Sequence, residues 1–146
     1  MQLQRLIFPE TPVQIPIYGD TISAGFPSPA ADYIESGIDL VSHLIPHPSS
    51  TYTLRVAGDS MINAGITDGS YLLVDFSLTP QHGDIVIANL GGEFTVKRLI
   101  TTPNAQLLPE NPAYPAIPIY DGEDIEIVGV VITIIKTLHR NHVRPR

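Results

Sequence analysis

From Thr51 to Lys136 the chain is written in short runs rich in Val, Ile, Thr and Tyr, each closed by a turn signal. β-branched and aromatic residues fit a pleated, half-buried surface, so the pattern predicts a mainly β chain. Strands are expected at 51–57, 71–76, 84–90, 93–100, 105–108 and 125–136. Gly91-Gly92 reads as a two-residue hairpin turn between two of them. Asp68-Gly69 and Gln81-His82-Gly83-Asp84 read as further turns. One short helix is predicted over 39–45, with Asp39 as N-cap and Leu40, Val41, Leu44 and Ile45 on one face. Pro46 and Pro48 end it.

The first thirty residues read differently. Pro9, Pro12, Pro16, Pro27 and Pro29 exclude a long helix, because each removes a backbone donor and fixes φ. An extended arm is expected, within which Val13 to Tyr18 suits an added strand or a segment docked in a groove. The small residues around Ser23-Ala24-Gly25-Phe26 suit access by a protease. The polar stretch after Lys136 is expected to fray.

A chain of 146 residues suffices for one domain with a core. No apolar run approaches the roughly 18 residues of a membrane helix. No signal-peptide h-region follows Arg5, so the expected location is the cytoplasm. The absence of cysteine excludes a thiol nucleophile and thiolate metal sites. The net charge is −7, with two lysines and six arginines, three of the latter (Arg140, Arg144 and Arg146) in the last seven residues. Nucleic-acid binding needs a basic face, so no direct contact with DNA is expected and partners should be proteins.

Two residues stand out for chemistry. Ser60, in Gly58-Asp59-Ser60-Met61, follows a strand and a glycine, where a hydroxyl can sit beside free backbone N–H groups. By itself the signal is weak, and a turn cap is the plainer reading. A serine nucleophile needs a base. His43, His47, His82, His139 and His142 lie in turns, near prolines or in the tail, match no triad or metal spacing, and read as surface or turn residues. The other candidate is Lys97. Alternation along 93–100 puts Lys97 and Arg98 on opposite faces and Thr95 on the face of Lys97. A desolvated lysine can lose its proton, whereas arginine cannot, so Lys97 is the candidate general base and Thr95 the group that orients it. The competing reading is an exposed lysine guarding an edge strand. Asp68, Asp75 and Asp84 read as turn or strand-end residues, and Asp121, Glu123, Asp124 and Glu126 as a solvated turn without calcium-loop order. There is no glycine-rich phosphate loop, and no cofactor is expected.

The segments Ala24-Gly25-Phe26-Pro27-Ser28-Pro29-Ala30-Ala31-Asp32-Tyr33, His47-Pro48-Ser49, Gly58-Asp59-Ser60-Met61, Asp68-Gly69, 82–88, 92–99 and Gly129-Val130-Val131-Ile132 resemble, in order and spacing, the LexA/UmuD family of self-cleaving Ser–Lys proteins. The resemblance runs from about residue 12 to about 136. It implies a signal-peptidase-like β core with short helices and an extended N-terminal arm. It makes Ser60 the nucleophile, Lys97 the general base and Ala24–Gly25 the scissile pair, with Asp59, Met61 and Thr95 in support. Ala24 stands where UmuD-like members commonly carry cysteine and LexA repressors alanine. About 24 residues precede the bond, with no helix-turn-helix pattern, which points to the UmuD-like branch. The implied organisation is an arm over 1–24 removed by cleavage, a protease and dimerisation domain over 25–138, and a polar tail over 139–146.

The resemblance further implies a homodimer, cleavage stimulated by RecA filaments on single-stranded DNA, and a product that joins a UmuC-like Y-family polymerase in translesion synthesis. Gln14-Ile15-Pro16-Ile17-Tyr18 resembles the arm region linked in the family to polymerase and sliding-clamp contacts. Three other readings stand beside this one: a Ser–Lys protease acting on other chains, a non-cleaving binding module of the same fold, and a DNA-binding β domain. The absent membrane segment, the intact Ser60, Lys97 and Ala24-Gly25, and the acidic charge argue against them in turn.

Overall fold

The computed structural model describes residues 3–5, 14–18 and 34–138. In chain order the elements are β1 (Leu3–Arg5), β2 (Gln14–Tyr18), β3 (Ile34–Asp39), α1 (Leu40–Leu44), β4 (Thr51–Arg55), β5 (Tyr71–Asp75), β6 (Ile85–Leu90), β7 (Glu93–Ile100), β8 (Gln106–Leu108), β9 (Ile117–Pro118) and β10 (Ile125–Ile135). Three-residue 3₁₀ turns cover Pro48–Ser50 and Ile62–Ala64. By compactness the chain divides into two units, one of residues 1–6 with 47–146 and one of residues 7–46.

The larger unit is an antiparallel sheet in the order β1-β4-β5-β10-β6-β7-β8-β9. β10 is its spine: Val130–Ile135 pair with β5 and Ile125–Val130 with β6. A β-bulge between Ile127 and Gly129 interrupts the second pairing. A Cβ at Gly129 would stand 2.6 Å from Val74 Cγ1, so only glycine lets these strands approach as they do. Gly91 and Gly92, with φ of +60° and +100°, form the tight turn joining β6 to β7.

Both faces of the sheet are covered. Val86 and Ala88 pack on one side with Leu99, Leu107 and Val130. Ile87 packs on the other with Leu54, Met61, Leu72, Val74 and Val96. Double coverage explains why β5 and β6 read as continuous apolar runs rather than alternating ones. Burial of each such aliphatic side chain contributes roughly 1.5–3 kcal/mol.

In the smaller unit β2 and β3 pair antiparallel, with a register break between Ile15 and Ile17. Pro16 sits at that break, where a residue without an N–H is tolerated. Asp39 caps α1, accepting from the Ser42 N–H and, at 2.7 Å, from its hydroxyl. The expected apolar face of this helix is only partly covered: Ile45 is buried but Leu40 is 40% exposed.

β1, β3 and β9 carry no sequence expectation. β3 contains Glu35, Ser36 and Gly37 and lacks an apolar alternation, while β9 is two residues long. Their pairing comes from neighbours, not from their own pattern. The other strands end within two residues of the expected limits.

Candidate active site

β7 carries Lys97 and Thr95 on one face. Directly across the ladder on β6 stand Val86 and Ala88, both fully buried. Lys97 is 6% exposed, and burial lowers its pKa from the ordinary lysine value. Its Nζ donates to Ser60 Oγ at 2.9 Å, to Thr95 Oγ1 at 2.9 Å and to the Val96 carbonyl at 3.0 Å. Three acceptors satisfy the three donors of an ammonium. In the neutral amine two N–H groups still suffice for Thr95 and Val96, and the lone pair can face the Ser60 O–H. The site can therefore hold the proton in one state and take one from serine in the other. Arg98, on the opposite face, pairs with Glu110 and donates to the Gly83 carbonyl at 2.6 Å.

Ser60 lies in the loop after β4. The loop is pinned from below by Met61, which is 1% exposed and packs in the core. The Gly58 N–H donates to Asp68 Oδ1 at 2.7 Å, so Asp68 braces this loop. The 3₁₀ turn begins at Ile62, two residues beyond Ser60. Ile62 N–H donates to the Asp59 carbonyl at 3.2 Å. Among the described residues, none accepts a hydrogen bond from the backbone N–H of Asp59 or Ser60.

A segment that sequence reasoning passed over completes the site. After β8, the Glu110 N–H donates to the Ser60 carbonyl at 2.9 Å, and the Glu110 carbonyl accepts from Asn63 N–H at 2.9 Å. Asn111 Nδ2 donates to the Asp59 carbonyl at 2.9 Å, and the Tyr114 hydroxyl donates to Asp59 Oδ1 at 2.6 Å. That hydrogen bond and the charge of Asp59 raise the Tyr114 pKa, which keeps the phenol a donor. An open cleft of about 270 Å³, lined by Asn63, Leu108, Glu110, Asn111 and Tyr114 among others, lies along this segment. Pro109 and Pro112 flank Glu110-Asn111 and are a general loop signal. Nothing local marked the segment as the neighbour of a residue about fifty positions away.

His47 is exposed at the start of the 3₁₀ turn, as expected of a surface or turn residue, and it also has a partner that the sequence pattern does not mark. Its Nδ1 lies 2.6 Å from Asp75 Oδ2. Asp75 is 1% exposed and also accepts from the Ser50 hydroxyl and from the Ser77 N–H and hydroxyl. Burial pushes its pKa up, but the bonds from Ser77, His47 and Ser50 outweigh it and hold the carboxyl at about 2. His82 stays a turn residue, its Nδ1 accepting from the Thr101 N–H at 3.0 Å. Asp121, Glu123, Asp124 and Glu126 are exposed, as expected of a solvated turn. Ala24, Gly25, His139 and His142 lie outside the described residues. Among the described residues, no helix is long and apolar enough to cross a membrane.

Comparison with known proteins matches residues 16–132 to the peptidase S24-like family. Protein SamA of Salmonella typhimurium is 47% identical over 133 residues, covering 89% of this chain and 93% of that protein. Protein MucA of Escherichia coli is 50% identical over 118 residues, covering 80% of this chain and 81% of MucA. A LexA repressor of Paracidovorax citrulli is 39% identical over 125 residues, which are 85% of this chain and 55% of the repressor.

Proposed function

The chain is a UmuD-like member of the peptidase S24-like family, and from that premise we propose that it is a self-cleaving serine peptidase of SOS mutagenesis that cuts its own Ala24–Gly25 bond. The observation that carries this reading is the 2.9 Å hydrogen bond between Lys97 Nζ and Ser60 Oγ, made by a buried lysine with a depressed pKa. A lysine kept for surface charge would be exposed, and a serine kept as a turn cap would bond its own backbone.

In the proposed reaction neutral Lys97 takes the hydroxyl proton as Ser60 Oγ attacks the Ala24 carbonyl carbon. The oxyanion is received by the backbone N–H groups of Ser60 and Asp59. Losing one such donor typically costs about 2.7–4 kcal/mol of transition-state stabilisation. Lys97 then gives its proton to the Gly25 amine, which leaves. Water, deprotonated by the same amine, releases the acyl group from Ser60. Thr95 orients the amine throughout, and Met61 anchors the nucleophile's loop.

Regulation follows from the same groups. Lys97 must lose its proton before it can act, and the reaction waits for a dry, occupied site that favours the neutral amine. RecA filaments on single-stranded DNA act by favouring that occupied state, as a population shift. Residues 25–138 are then the working domain, a cytoplasmic homodimer that joins a UmuC-like Y-family polymerase, with residues 1–24 removed. Gln14–Tyr18 is the segment offered to the polymerase and the sliding clamp before the cut.

The test incubates the purified chain with RecA, single-stranded DNA and a nucleotide, beside Ser60→Ala and Lys97→Ala, and weighs the products intact. A species beginning at Gly25, formed by the wild type alone, is the expected result. Folded protein that stays whole in every sample would shift the function to a non-cleaving partner-binding module. Cleavage that persists in Ser60→Ala would end the Ser–Lys mechanism.

A further inference from the structure

The carbonyl of Asp59 and the N–H of Ser60 belong to one peptide. In a planar trans peptide these two groups point in opposite directions. Whatever fixes the carbonyl therefore aims the N–H. The Asp59 carbonyl is held by Asn111 Nδ2 at 2.9 Å and by the Ile62 N–H at 3.2 Å. The Asp59 side chain is held in turn by the Tyr114 hydroxyl at 2.6 Å. On the other side of Ser60, its carbonyl is held by the Glu110 N–H. Both carbonyls flanking the Ser60 Cα are thus tied to one segment, residues 110–114. The Ser60 N–H has no acceptor among the described residues.

We infer that Asn111 and Tyr114 are positioning residues for the self-cleavage reaction, aiming the Ser60 N–H at the developing oxyanion through the Asp59–Ser60 peptide. The inference rests on the peptidase reading above. Neither side chain need touch the reacting atoms. Tyr114 is 42% exposed and contributes little to the core, so its phenol has a reason to be there other than packing. Asn111 divides its amide between two tasks: Oδ1 accepts from the Ala113 N–H at 2.9 Å, shaping the turn, and Nδ2 serves Asp59.

That division supplies a clean test. Asn111→Ser keeps a side-chain oxygen for the Ala113 N–H, as serine does in such turns, and removes the amide donor without adding charge. Tyr114→Phe keeps the ring and removes only the hydroxyl, with no change of charge. Each is made in the full chain, and self-cleavage is followed by intact mass across alkaline pH without RecA. Phosphonylation of Ser60 by diisopropyl fluorophosphate is followed in parallel, since its tetrahedral adduct needs the oxyanion donors but not the arm. Both variants should cleave about tenfold or more slowly on the alkaline plateau, as expected for a misaimed donor. The pH midpoint of the rate and the thermal midpoint should stay put, and phosphonylation should slow by a similar factor.

Variants that cleave at the wild-type rate would overturn the inference and leave the peptidase reading intact. So would a shifted pH midpoint, which would place their action on Lys97, or an unchanged phosphonylation rate, which would place it on arm docking. Failure of the wild type itself to cleave would overturn both.

Discussion

Lys97 Nζ donates to Ser60 Oγ at 2.9 Å across 37 positions of sequence. The contact exists because β7 turns Lys97 onto the face of Thr95, opposite Val86, while the loop after β4 is pinned by Met61 and by the Glu110 backbone. The lysine gives up hydration for this position, and three acceptors compensate its ammonium. The chemistry and the stability of the chain are therefore both tied to its protonation.

Self-cleavage without RecA should rise with pH. The folded-state pKa of Lys97 is depressed by burial, so the midpoint of the rise should lie below the ordinary lysine value of 10.5. The folded state holds fewer protons than the unfolded state between those two pKa values, so stability also increases with pH in that window. Lys97→Arg should give no product at any pH up to about 11, because a guanidinium keeps its proton. Rates by intact mass from neutral to alkaline pH check this, and a flat profile with folding intact would exclude the lysine base.

Thr95→Val should act on both rate and midpoint. It removes one acceptor from a buried ammonium, which disfavours the charged form and moves the pH midpoint downward. It also frees the amine to turn away from Ser60, so the plateau rate should fall about tenfold, at the low end of what a positioned proton transfer contributes. A midpoint that moves upward would show that the Thr95 hydroxyl does not serve the ammonium.

Asp75 should set an acid limit on stability. Its folded-state pKa of about 2 lies below the ordinary aspartate value of 3.8. Its contribution is fully present above about pH 4 and is lost as pH falls through about 2, amounting to roughly 2 kcal/mol. Asp75→Ala leaves Ser50, Ser77 and His47 without their acceptor and should cost about 2–4 kcal/mol at neutral pH. Urea midpoints against pH, measured on a Ser60→Ala background so that the chain stays whole, test both figures.

Gly129→Ala should destabilise the sheet without touching the site. The added methyl meets Val74 Cγ1 at 2.6 Å and the Phe76 ring at 3.3 Å, and the strand it sits on is paired on both sides. Overpacking of this kind typically costs about 1–3 kcal/mol. Thermal unfolding on the Ser60→Ala background reads it, and an unchanged midpoint would mean that β5 yields at no cost.

The sequence by itself determined the β character of the chain, the hairpin at Gly91-Gly92, the N-cap at Asp39 and the fact that Lys97 shares a face with Thr95 and not with Arg98. Each is set over a few residues, by side-chain period, by backbone freedom or by one capping bond. Ser60 and Lys97 were visible as chemistry-bearing residues, but residue pattern alone left each with a bland alternative. Only the tertiary structure decided that Lys97 is buried opposite Val86, that Glu110, Asn111 and Tyr114 hold the loop of Ser60, and that His47 finds Asp75. Those contacts join residues 28 to 55 or so positions apart, apart from the hairpin pairing itself. Their existence depends on strand order and register, which the pattern of any single segment does not encode.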